Sequence, residues 1–129
     1  MDAEDLQVYR MLCQLHIDVC DLTHDWPLEK KYELGSQVRR SSNSAPAQLA
    51  EKNDDRHIRN KIEGVNRSRG EAAETIHHLY MAKLKGYITK NIYLEFRGRY
   101  KEENTCPYYF LLFFELPYKS ICRAPPEGK

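Results

Sequence analysis

Residues 55–86 read DRHIRNKIEGVNRSRGEAAETIHHLYMAKLKG, and their spacing sets the architecture. Ile58, Ile62, Val65, Ala72, Ile76 and Leu79, continued by Tyr87, recur in steps of three and four, which is the period of one helix face. Gly86 closes the run where a left-handed cap belongs, and Thr89 is placed to cap a further helix carrying Ile92, Phe96 and Tyr100. Upstream, Leu34, Val38, Ser41, Ala45 and Leu49 form one stripe of a helix over 28–53, with Arg40, Ser44 and Glu51 roughly opposite. Pro46 falls inside that stripe, and its continuity on both sides predicts a kink rather than a break. Asn53-Asp54-Asp55 supplies the next turn and N-cap. The first segment places Leu6, Tyr9, Leu12, Cys13, His16, Val19 and Cys20 at helical spacing, and Asp25-Trp26-Pro27 ends it. Long helices, short polar turns and no alternating pattern predict an all-α, antiparallel up-and-down four-helix bundle over 1–104.

Residues 105–129 differ from all of this, with four of the chain's 6 prolines and the apolar run Tyr108 to Phe114 between Pro107 and Pro117. They read as a separate aromatic and proline-rich segment that leaves the fourth helix shortened or altered.

The 129 residues carry 20 Lys+Arg and 19 Asp+Glu, 41% hydrophobic residues and a mean hydropathy of -0.73. No apolar run reaches the roughly 20 residues that cross a bilayer, and the acidic start Asp2-Ala3-Glu4-Asp5 does not resemble an export signal. A cytoplasmic protein is expected, with its 4 cysteines as reduced thiols. The net charge of +1 hides an asymmetry: 1–35 hold 8 acids against 3 bases, whereas 36–69 hold 8 bases against 4 acids. A basic middle favours contact with a polyanion.

Few constellations suggest chemistry. Cys13, His16, Cys20 and His24 share a helix face, but the first and last lie about 16 Å apart along the axis, too far for one tetrahedral ion. Packing is expected, with no metal and no cofactor. His77 and His78 diverge by about 100° and predict solvent or subunit contact. The acids Asp18 and Asp21 work against a nucleophilic Cys13 or Cys20, and neither Gly35 nor Gly70 opens a phosphate-binding loop. Gly70, mid-helix, predicts a close approach by another helix or subunit.

Several residues recur together in a known pattern: Asp5-Leu6-Gln7-Val8-Tyr9, Leu22-Thr23, Gln37-x-Arg39-Arg40, Ser44, Ala50-Glu51, Gly70-x-x-x-Glu74 and Gly86-Tyr87-Ile88. In order and spacing these resemble the four-helix-bundle proteins encoded in 23S rRNA intervening sequences, over about residues 5–100. The resemblance implies a bacterial, non-enzymatic bundle that assembles into a homopentameric ring. It extends distantly to the accessory variability proteins of diversity-generating retroelements, which bind nucleic acid and partner a reverse transcriptase. The chain departs from the family at Gln48, Lys52 and Glu71, where Asn, Gly and Ser are usual, and after Glu103, where a frameshifted or degenerated ending is expected.

The expected function is that of an RNA-associated protein, ribosomal RNA included, that meets phosphates through a basic surface. Arg56, Arg59 and Arg67, with Lys52 and Lys61, are the leading candidates, because the three arginines project away from the apolar stripe. An ordinary Glu63–Arg67 pair is the competing reading for the last of them. Arg39 and Arg40 either join that surface or pair with the family-matching acids Glu51 and Glu74. Arg69 projects into the apolar stripe and is expected to be buried against an acid. The alternatives are an adaptor for a protein partner such as a reverse transcriptase, and a decayed element product without selected activity.

Overall fold

The computed structural model describes residues 2–105. The separate C-terminal segment and the altered ending after Glu103 thus fall almost wholly outside the described residues. A short 3-10 turn at Ala3–Asp5 leads into α1 (Gln7–His24). The next rod has three parts without interruption: α2 (Leu28–Lys30), a π-helical turn (Lys31–Gly35) and α3 (Ser36–Asn53). Then come α4 (Ile58–Leu84) and α5 (Lys90–Thr105). The chain is an all-α four-helix bundle, and α1, α3, α4 and α5 are its long helices.

The helices stand at the corners of a square, because α1 packs on α3, α3 on α4, α4 on α5 and α5 back on α1. Leu12, Leu15 and Val19 of α1, Val38 and Leu49 of α3, Val65 and Leu79 of α4, and Phe96 and Tyr100 of α5 meet inside. Each such side chain contributes about 1.5–3 kcal/mol by leaving water. An ion pair closes the square, with Arg99 Nη2 2.7 Å from Asp18 Oδ2 across α5 and α1.

The caps expected at Thr89 and Gly86 form, whereas α4 is capped at His57 and not within Asn53-Asp54-Asp55. Thr89 Oγ1 accepts from the Ile92 amide at 3.2 Å and starts α5. Gly86, at φ 80°, ends α4 with its amide on Lys83 O (3.0 Å) and the Tyr87 amide on Ala82 O (2.8 Å), the paired bonds of a Schellman cap. Asp55 Oδ1 accepts from the His57 amide at 2.8 Å and Oδ2 from Asn60 Nδ2 at 3.1 Å, which organises the first turn of α4. Trp26 is buried against Tyr87, ring centroids 5.2 Å apart, so the residue that stops α1 also anchors the α4–α5 turn. Helix α3 runs through Pro46 unbroken.

The inner face of α4 differs from the expected one. Ile58 and Ile62 are 51% and 39% exposed, while Gly64, Val65, Ser68, Ala72, Thr75, Leu79 and Ala82 are buried. Small and hydroxyl-bearing residues are inside because α3 comes close: Ser41 Oγ and Thr75 Oγ1 are 2.7 Å apart. The close approach is at Gly64, where an added Cβ would stand 2.7 Å from Lys52 Cβ and Cγ. At Gly70, the glycine expected to mark it, an added Cβ would meet nothing within 4 Å among the described residues, so none of them presses there. Gln48, Lys52 and Glu71, where the chain departs from the residues usual in the resembling family, are half-buried on α3 and α4.

Candidate functional site

Arg39 and Arg40 leave α3 in different directions and do different things. Arg39 is half-buried, its Nη1 donating to Thr23 Oγ1 at 3.0 Å and its Nη2 to Lys31 O at 3.1 Å. It ties the end of α1 to the π turn and is withdrawn from the exposed basic surface, a correction to its candidacy there. The π turn, which the apolar periodicity does not reveal, brings the Lys31 carbonyl within its reach. Arg40, 69% exposed at its side chain, lies 3.5 Å from Glu74 Oε2, and the buried His78 places Nε2 3.3 Å from the same oxygen. His78 is therefore held inside the chain rather than at the surface. His77 is exposed, its ring centroid 5.4 Å from that of His78.

Two expected ion-pair partners do not fit that role. Glu51 is exposed. Arg69 is exposed as well, because the buried face of α4 is centred on Ser68, Ala72 and Thr75, about 100° away from it. Neither forms an ion pair with a described residue.

Of the remaining bases, Lys52 is half-buried against Gly64, and Lys61 is half-buried with a partner of its own. Arg67 is 57% exposed and 3.5 Å from Glu63 Oε2, an i,i+4 pair worth about 0.2–0.5 kcal/mol. Arg56 and Arg59 are exposed at the start of α4 and line an open groove of about 630 Å³ with His57, Ile58 and Asn60. The helix dipole adds a positive contribution there, about half an elementary charge. The fold thus brings together an outward face of α4 with Arg56, Arg59, Arg67 and Arg69, joined by Arg40 from α3.

The Cys and His residues of α1 take another course. His16 Nδ1 is 2.8 Å from Ser42 Oγ, and that hydroxyl donates to Arg39 O at 3.0 Å, so His16 donates and Ser42 accepts. The free His16 Nε2 faces Cys20 Sγ at 3.6 Å. Burial holds the His16 pKa below its ordinary value. Burial raises that of Cys20, Arg39 opposes the rise and Asp21 adds to it. A neutral imidazole beside a protonated thiol, with the serine hydroxyl fully buried and already donating, is a packing contact between α1 and α3. His24 is exposed at the end of α1. Among the described residues no three His, Cys, Asp or Glu side chains are grouped to hold a metal ion, and no helix is long and apolar enough to cross a membrane.

No curated protein and no solved structure matches the chain. The family model described as 23S rRNA-intervening sequence protein matches residues 4–105, from the first turn to the end of α5. With most of its length and all four long helices inside that match, the chain belongs to the 23S rRNA-intervening sequence protein family.

Proposed function

We propose that the chain is a non-enzymatic bundle protein that binds RNA, ribosomal RNA or its precursor first of all, through backbone phosphates. The observation that carries this reading is the outward face of α4. Arg56, Arg59 and Arg69 are exposed there without an ion-pair partner among the described residues, and Arg40 and Arg67 hold theirs only at 3.5 Å. Exposed arginines at that distance exchange a carboxylate for a phosphate at little cost, since exposed pairs are worth about 0–1 kcal/mol. The family name supports RNA as the polyanion.

The test is binding to a fragment of 23S rRNA across a salt series. Affinity is expected to fall linearly on logarithmic axes, and Arg56→Glu, Arg59→Glu and Arg67→Glu together are expected to reduce the slope by about 2–3. Binding indifferent both to salt and to these substitutions would sink the reading. A second reading, an adaptor for a protein partner such as a reverse transcriptase, is favoured by Leu28 and Tyr32, 68% and 71% exposed one turn apart. A protein partner that stays bound after nuclease treatment of the extract would support it.

A further inference from the structure

We infer that the α4 face is built for double-stranded RNA rather than for a single strand. This rests on the RNA reading and sharpens it.

Its first support is what the face lacks. Residues 33–79 contain no Phe, Trp or Tyr, so the whole basic segment is without an aromatic ring. Binders of single strands stack bases on aromatic side chains, at about 1–3 kcal/mol per base. Tyr80 is the first aromatic residue after that stretch; it is 40% exposed, and its ring lies edge-to-face with Tyr93 at 5.6 Å and under Lys83 Nζ at 5.1 Å. Within the arginine-bearing stretch itself there is no Phe, Trp or Tyr platform, and the exposed Tyr80 beyond it has its ring already engaged by Tyr93 and Lys83.

The second support is how the charges are laid out. On α4, Arg67 and Arg69 lie about 160° apart around the axis, so they flank the outward ridge on its two sides. The Arg67 side continues with Arg40, which reaches Glu74 about 10 Å further along the axis. The Arg69 side continues with Arg97, exposed on α5 one turn after Tyr93, whose ring meets Tyr80 of α4. Two sets of arginines thus border, on opposite sides, a ridge of Asn66, Gly70 and Ala73, all three exposed, with Arg59 and His77 at its two ends.

A single strand offers one line of phosphates and could satisfy only one row. A duplex offers two, one on each side of a groove. The minor groove of A-form RNA is wide and shallow and displays 2′-hydroxyls, and a rigid, low ridge between two positive rows suits that surface. The acids on the face, Glu63 and Glu74, are each held by an arginine of one row and stand beside the ridge rather than on it. The face is expected to recognise duplex shape rather than sequence.

The experiment uses the full chain and three fluorescent probes of about 20 nucleotides or base pairs: an RNA duplex, one of its strands, and the DNA duplex of the same sequence. At one salt concentration the RNA duplex should bind roughly tenfold or more tightly than either other probe. Arg67→Glu and Arg69→Glu, one from each row, should each cost a several-fold loss on the duplex, with circular dichroism reporting that the helices remain. Binding of the single strand or the DNA duplex as tightly as the RNA duplex overturns the inference and leaves the RNA reading intact. Binding of none of the probes overturns both.

Discussion

Arg39 and Arg40 are adjacent in sequence and separate in consequence. Truncating Arg39 removes two charge-assisted bonds and leaves the Lys31 carbonyl of the π turn without its donor. Arg39→Ala should lower stability by about 2 kcal/mol in urea unfolding. Arg40→Ala should change it by under about 0.5 kcal/mol while weakening RNA binding, since its bond to Glu74 is long and exposed. His16 gives a pH prediction with a definite sign. Its folded pKa is depressed by burial, so below the ordinary histidine value the unfolded chain takes up the proton more readily than the folded one. The stability it contributes is complete above about pH 6.5 and declines as pH falls from there through the lower folded value, and His16→Gln should flatten this part of the profile in melts between about pH 7 and 5. A further loss near pH 4 and below belongs to Asp55, whose carboxylate is held low first of all by the His57 amide. The divergence of the two arginines was legible in the sequence from their 100° separation. Which one turned inward was not, because the π turn that supplies the Lys31 acceptor leaves no apolar signature.

Among the helices, α4 carries the clearest contrast between pattern and packing. Its isoleucines and leucines mark the helix and its end, yet they put the inner face too near Ile58 and Ile62. Periodicity of large apolar residues cannot register a face chosen for smallness, and Gly64, Ser68, Ala72 and Thr75 are inside because α3 lies so near. The two glycines of α4 therefore respond oppositely to the same change. Gly64→Ala would drive a methyl to 2.7 Å from Lys52 Cβ and 3.3 Å from Gln48 O, both fixed to the α3 backbone. It should destabilise by about 1–3 kcal/mol, with α3 forced outward. Gly70→Ala meets open space and should stabilise by up to about 1 kcal/mol, the helix-propensity difference. Thermal melts of the two variants are expected to move in opposite directions. A gain for Gly64→Ala would disprove the close approach of α3 and α4.

Across the whole bundle, the arithmetic of charge changes once the chain is folded. Net charge +1 spread evenly would give a polyanion no reason to approach, but the basic residues 36–69 lie mainly on α3 and α4, while the eight acids of 1–35 are spread from the first turn through α1 and α2 to the π turn. The exposed Arg40, Arg59, Arg67 and Arg69 are thereby gathered on one pair of helices. We propose that the chain assembles as a homopentameric ring, which would repeat the α4 face around it. The exposed Leu28, Tyr32 and Leu84, at 68%, 71% and 58%, provide apolar surface suited to such assembly. Mass in solution decides this. The full chain should sediment or scatter as a particle of about five times 15.2 kDa, and a chain cut after Glu103 should do the same if α1, α3 and α4 supply the contacts. Monomers in both forms would leave each α4 face to act alone, and the salt slope of RNA binding would then fall to the few phosphates that one set of arginines can neutralise, about 0.9 per contact. A pentamer should show a slope well above that single-face limit, because neighbouring faces engage one RNA together.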